Sequence, residues 1–252
     1  MKQFLSTMKG MMGFGLILLV SVFFCGQNKH AQELAAKPPM TIYAYKVSTP
    51  PIIDGNISEF LTADSVHFYH KSAPAVDHAV AYVLWDKDNL YIAFDTKNRN
   101  LRAKATERDC VIIMQDDLPE VLIDCNNDKS EKWSADDICY HVNILGAIRD
   151  DRGMTPDGKD ADLLWNGKID FKCTYKGTLN DSSDVDEGLI CEMAIPWSEI
   201  QREPKEGLVM GIDFAHNDRS DVDGSYRYYD WCQLNVFHSP SKFGEIMLKG
   251  EL

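Results

Sequence analysis

Basic residues are scarce in this sequence: 26 Lys and Arg stand against 39 Asp and Glu, a formal net charge of −13. So acidic a chain has no electrostatic reason to seek phosphate backbones or anionic lipid, which argues against nucleic acid as a partner. The common catalytic signatures are missing as well. No G-x-S-x-G, H-E-x-x-H, glycine-rich phosphate loop or dinucleotide fingerprint occurs. No C-x-x-C occurs, so neither a redox motif nor a zinc ribbon is indicated. His67, His70, His78, His141, His216 and His238 are scattered without the spacing of a ligand pair. A lone histidine on a strand is more often a hydrogen-bonded surface or core residue than a ligand, and no axial pair for haem stands out. Helical periodicity is nearly absent beyond residue 40, and no internal repeat or second domain is visible.

What is present begins with a targeting segment. Lys2 and Lys9 make a basic start, and the apolar stretch MMGFGLILLVSVFF follows at 11–24. It is short for a bilayer span and suits the core of a signal peptide. Residues 1–25 are therefore read as a signal peptide, 26–40 as a polar linker and 41–252 as one domain. Export is expected, to the periplasm, the cell surface or the medium. Cys25 directly after the apolar run raises lipid attachment as a membrane anchor. Cleavage near Ala31 or Ala36 is the alternative, because Phe24 is large for a lipoprotein processing site. Export permits disulfides, but Cys110, Cys125, Cys139, Cys173, Cys191 and Cys232 read first as buried thiols, since cysteine is among the most buried residue types.

From Thr41 onward the pattern is almost entirely β. TIYAYKV alternates, and AVAYVLWDKDNLYIAFDT is a hairpin around Asp86-Lys87-Asp88-Asn89. PEVLIDC, ICYHVNILG, GKIDFKCTYKG, GLICEMAIPW, GLVMGIDFAHND and FGEIMLKG are further strands. ISEFLTAD and PWSEIQ supply one or two short helical turns. Many short strands separated by turn residues predict an all-β fold, an antiparallel, jelly-roll-like β-sandwich. Trp85 and Trp197 fall on the buried side of this pattern, as core residues rather than ligand platforms.

Two stretches carry candidate chemistry. In ICYHVNILG, Ile138, Tyr140, Val142 and Ile144 alternate toward a core, so Cys139, His141 and Asn143 share the other face. In DCNND, Asp124, Asn126 and Asp128 alternate in the manner of an oxygen-ligand calcium loop. Lys129 stands where an EF-hand wants glycine and no glutamate closes the loop, which excludes an EF-hand but leaves a looser calcium site. NDRSDVDG at 217–224 is a second acidic loop of the same kind.

Seven stretches in order resemble the family 9 carbohydrate-binding modules: PIIDG, AYVLWDKDNLYIAF, DDLPEVLIDCNND, YHVNILG, EMAIPW, GIDFAHND and SPSKFGEIML, across nearly all of residues 41–249. The resemblance implies a β-sandwich that binds saccharides without catalysis, carries structural calcium and stands here without a catalytic partner domain. It implies a glucose ring held between two aromatic side chains and fixed by a glutamate, an arginine and an asparagine. Carried over, the glutamate is Glu120 and the asparagine is Asn143. His141 takes the arginine position and Phe237 that of one aromatic. The second aromatic falls near Met114, and a helpful glutamine is replaced by Ala215. Glu120 is expected to accept from sugar hydroxyls as a charged carboxylate, and His141 to gain charge as the pH falls. Two other classes stay open at this point: a glycan-active hydrolase or lyase using Glu120 and His141, and a structural or partner-binding sandwich without a sugar.

Overall fold

The computed structural model describes residues 40–71, 78–153, 161–162, 164–219, 226–234 and 238–251. The expected signal peptide, Cys25, nearly all of the linker and Phe237 lie outside these residues. Thirteen strands form one continuous hydrogen-bonded sheet: β1 Thr41–Lys46, β2 Asp64–Tyr69, β3 His78–Trp85, β4 Asn89–Lys97, β5 Leu118–Asp124, β6 Asp137–Val142, β7 Ile148–Gly153, β8 Ala161–Asp162, β9 Asp170–Lys176, β10 Gly188–Pro196, β11 Val209–Asp218, β12 Arg227–Asp230 and β13 Gly244–Glu251. The neighbour order is β8-β7-β6-β5-β11-β13-β1-β3-β4-β10-β9, with β12 on β11 and β2 on β3. The expected short helical turns are present at Ile57–Phe60 and Trp197–Ile200.

The sheet doubles back on itself. β4 and β11 are separated by β13, β1 and β3 in the neighbour order, yet Phe94 and Phe214 meet edge to face with ring centroids 5.9 Å apart. That contact requires two layers facing one another, which is the expected sandwich. Ile42 and Ala44 of β1, Val83 and Trp85 of β3, Val121 and Ile123 of β5, Ile138, Tyr140 and Val142 of β6, and Met210, Ile212 and Phe214 of β11 share its core. Trp85 and Trp197 are buried there, their rings edge to face at 6.4 Å. The indole N–H of Trp85 donates to the carbonyl of Lys249, and that of Trp197 to the carbonyl of Asp86.

Pairing is antiparallel everywhere except at β1. This strand runs parallel to β13 along its whole length and parallel to β3 at Tyr45 and Lys46. The expected antiparallel sandwich is thus present, with one parallel seam at β1. β2, β7, β8 and β12 are also additions to the expected strands.

His216 sits on the core side of β11, fully buried, and its ring meets that of Tyr229 at 5.5 Å. Burial lowers its imidazole to about 3, against about 6.5 in an unfolded chain. Between those values the unfolded chain takes up a proton that the folded chain refuses, so stability present above pH 6.5 is lost as the pH falls toward 3. A His216→Phe protein should therefore show a shallower fall in melting temperature across this range than the wild type. An unchanged slope would show that His216 does not set it.

Cys173 and Cys191 are direct partners across β9 and β10, both buried, with their Sγ atoms 2.6 Å apart. Both are free thiols, directly opposed across the antiparallel pair. Thiol–disulfide exchange with oxidised glutathione should close this pair, the two thiols giving up two protons and two electrons and the oxidant leaving as two reduced glutathiones. Peptide mapping without reductant should find the 173–191 cross-link, and its absence would mean that the pair stays reduced.

Candidate functional site

The site is built on the outer face of the layer containing β5, β6, β7 and β11. Because these strands pair in register, residues on that face line up in rows. His141 lies opposite Glu120, Glu120 opposite Ala215, and Ala215 opposite Asp230 of β12. One step along, Asp151 of β7 lies opposite Cys139, and Cys139 opposite Leu122. The alternation that predicted Glu120 and His141 on one face is thus present, and β7 and β12 extend the row with acids. Trp133, Phe243 and the partly buried Tyr228 and Leu234 pack around Leu122, Cys139 and Ala215. The face is therefore largely closed to water, and Glu120 retains only 4% of its accessible surface.

That closure changes the expected electrostatics. Burial, then the nearby Asp151, raises the Glu120 carboxyl to about 8 despite a hydrogen bond from Tyr228. Burial lowers His141 to about 4 against the opposing pull of its hydrogen bond to the Arg149 carbonyl. Near pH 7 the pair is largely neutral. His141 Nε2 stands 3.5 Å from Glu120 Oε2, and with its Nδ1–H on the Arg149 carbonyl at 3.2 Å the imidazole presents a lone pair to a protonated carboxyl. Burial thus favours, over the expected charged acceptor, a neutral carboxyl that can donate. The expected gain of charge on His141 moves down to about pH 4.

Asn143 is brought close in sequence but not to the open side. Its amide N–H groups donate to the carbonyl of Ala105 and to Asp116 Oδ2, both at 2.8 Å. Its carbonyl accepts from the backbone N–H of Leu145 and Ala147. Two donors and two acceptor positions are the whole capacity of a carboxamide. Fully buried and fully engaged, Asn143 organises the turn after β6 and has nothing to offer a sugar; this corrects the role carried over to it.

Near Met114, where the second aromatic was expected to fall, Arg219 and Tyr226 come together. Arg219 donates through Nε and Nη2 to the Met114 carbonyl. Its guanidinium lies 3.6 Å from the ring centroid of Tyr226, a cation–π stack. Tyr226 is 47% exposed, and its hydroxyl is raised by partial burial and by the nearby Glu120. Nothing in the local sequence marked Tyr226, because its stacking partner comes from before a loop and Glu120 from another strand.

The acidic loop after β5 also departs in detail. Asp124, Asp128 and Asp136 each offer a carboxylate oxygen, all within 4.8 Å of one another. The Asn126 side-chain carbonyl accepts from Arg202 at 2.7 Å, and Asp136 is a further oxygen donor beside Asp124 and Asp128. Asp136 Oδ2 is buried with no hydrogen-bond partner. Three hard oxygen donors and an unsatisfied buried carboxylate oxygen fit a cation such as calcium. Asn127 and Lys129 take left-handed backbone conformations, with φ of 52° and 53°, turning the chain so that the Asp128 and Lys129 N–H groups reach the Asp124 carboxylate. Of the second acidic loop, 220–224 lies outside the described residues.

Comparison with known proteins agrees with this architecture. Residues 56–251 match the family described as carbohydrate family 9 binding domain-like. The chain is 26% identical over 206 residues to exoglucanase XynX of Acetivibrio thermocellus, covering 80% of this chain and 16% of that protein. It is 26% identical over 204 residues to endo-1,4-beta-xylanase A of Thermotoga maritima, covering 79% of this chain and 17% of that protein. The chain thus spans a small fraction of the length of these enzymes. A family 9 carbohydrate-binding module from Caldicellulosiruptor kristjanssonii, solved in complex with cellotriose, superposes with a TM-score of 0.63 at 24% identity, over 84% of this chain and 95% of that one. A putative carbohydrate-binding protein from Bacteroides uniformis superposes with a TM-score of 0.62 at 15% identity, over 83% and 99%. These structural likenesses concern the fold; it is the sequence match over residues 56–251, all of the sandwich but its first strand, that makes this chain a member of the carbohydrate family 9 binding domain-like family.

Proposed function

We propose that this chain is an exported, non-catalytic domain that takes a saccharide on the outer face of β5, β6, β11 and β12. The observation that carries the reading is Tyr226, an exposed ring backed by Arg219 and close enough to Glu120 to feel its charge. A pyranose is polar at its rim and rich in C–H on its faces, so it needs a flat aromatic beside directed donors and acceptors. Tyr226 supplies the first; the second falls to the small parts of Glu120 and His141 that the covering side chains leave exposed, 4% and 8%. Phe237, outside the described residues, enters this proposal as the second aromatic on the strength of the sequence resemblance alone. The complexes of the family neighbours with cellotriose and with glucose make glucose-containing oligosaccharides the first ligands to try. Residues 1–25 would direct export, with Cys25 as a lipid anchor.

Binding should be measured by calorimetry against a panel that includes glucose, cellotriose and xylan fragments. Tyr226→Ala should weaken the best ligand tenfold or more, about 1.4 kcal/mol, without changing the melting temperature, because the ring is exposed. Phe237→Ala should act in the same direction. Equal affinity in both variants would remove this face as the site, and no ligand across the panel would favour an inert or partner-binding sandwich.

The same reading includes a structural calcium ion at Asp124, Asp128 and Asp136. The ion would neutralise carboxylates that otherwise repel and would tie the end of β5 to the loop before β6. An ion held only by the folded chain stabilises it by about 2.7 kcal/mol at a hundredfold excess over its dissociation constant. EDTA should lower the melting temperature and calcium restore it, and Asp136→Asn should abolish the difference. A melting temperature indifferent to EDTA in the wild type would end the calcium proposal.

A further inference from the structure

On the same face as the proposed saccharide site, one step along the strands, lies a second group of side chains with different chemistry. Cys139 Sγ, an Asp151 carboxylate oxygen and a His238 ring nitrogen all lie within 4.8 Å of one another. Cys139 and Asp151 are direct partners across β6 and β7, so their separation is set by the sheet. His238 reaches them from the segment before β13, its ring stacked on Trp133 at 4.5 Å between centroids. The Trp133 indole N–H donates to Asp151 Oδ1 at 2.9 Å, and His238 Nε2 stands 4.0 Å from the same oxygen. One aromatic side chain thus positions both the carboxylate and the imidazole. The sulfur of Cys139 is fully buried and 3.7 Å from both ring nitrogens of His141. A short step further, Glu120 Oε1 is buried with no hydrogen-bond partner.

We propose that Cys139, Asp151 and His238 bind a divalent transition-metal ion, zinc by the chemistry of the set, with His141 and Glu120 lining the adjacent position. One thiolate, one imidazole and one carboxylate make a mixed S, N, O donor set of the kind zinc accepts at four-coordinate sites. Calcium and magnesium want oxygen donors only and would be refused by the sulfur. The supporting shell is of the kind such ligands require. The His238 ring is stacked on Trp133, and the Asp151 carboxylate is held by the same indole, which fix orientation before any ion arrives. On binding, a metal–sulfur bond forms and the Cys139 thiol proton leaves to solvent, with no change of oxidation state. Three protein ligands leave a fourth position open. His238 is the exposed member, its side chain 40% accessible, so ion entry and that open position face its side of the cluster. This site differs in place and ligand type from the oxygen cluster at Asp124, and it goes beyond the saccharide reading.

Cobalt is the probe, because a thiolate bound to Co(II) gives an intense near-ultraviolet charge-transfer band that oxygen-only sites do not. The full chain, reduced with a phosphine and stripped of metal, is titrated with Co(II) in saturating calcium and without sugar. One equivalent should produce the band, and zinc should displace it. Cys139→Ser should abolish the band. His238→Ala, at a partly exposed position and so tolerated by the fold, should weaken cobalt affinity about tenfold or more. Circular dichroism checks that the Cys139 variant is folded; if it is not, the His238 variant alone decides. No band in the wild type, or a band of equal strength and affinity in His238→Ala, overturns the site. Because sugar is absent throughout, loss of this site leaves the saccharide measurement untouched, and the reverse holds as well.

Discussion

Exclusion of water from both sides of one layer of the sandwich is the constraint on which the rest depends. All seven residues of β5 and all six of β6 are buried. On the inner side this is the ordinary burial of Val121, Ile123, Ile138 and Tyr140 in the core. On the outer side Trp133, Phe243, Tyr228 and Leu234 cover a row that contains carboxylates, a thiol and imidazoles. A charge removed from water without a partner is costly, so such groups neutralise, pair or wait for an ion. Glu120 and His141 take the first course with each other. Asp150, on the inner side, takes the second with Arg108.

Much of the fold was legible because alternation survives wherever one face is apolar. β1, β3 to β6, β10, β11 and β13 all carry it. β7 and β12 escaped, since IRDDRG and RYYD present polar or aromatic residues on both faces. In β7 the inward Asp150 is satisfied by Arg108 and by the backbone N–H of Gly167, partners remote in sequence. The parallel pairing of β1 was equally hidden: it is a relation between strands about two hundred residues apart, and neither strand alone encodes its direction.

The site was legible to the extent that it lies on strands. Alternation put Glu120 and His141 on one face, and the register made them neighbours. It could not show that Asn143 is consumed, because its partners Ala105 and Asp116 belong to a separate loop. It could not show Tyr226 or His238, whose roles arise from a cation and a ring contributed by other segments. Ionisation states were out of reach for a related reason. The carboxyl of Glu120 reads as an exposed acid until Trp133, Tyr228 and their neighbours are placed over its face, and those side chains arrive from three different stretches of chain.

The seam at β1 has a consequence in time as well as in space. Thr41 pairs with Glu245 and Tyr45 with Lys249, so the first strand of the sandwich is matched to the last. During synthesis β1 emerges early and can complete its ladder only when β13 follows. Until then its edge is open on the side that β13 will cover, the situation in which strands recruit unintended partners. Contacts between such distant residues also make folding slow, since the loop between them must close before they are rewarded. A chain interrupted anywhere before Gly244 would lack the strand that couples the two layers, and β1 would keep only its two residue pairs with β3, at Tyr45 and Lys46, with no ladder to β11.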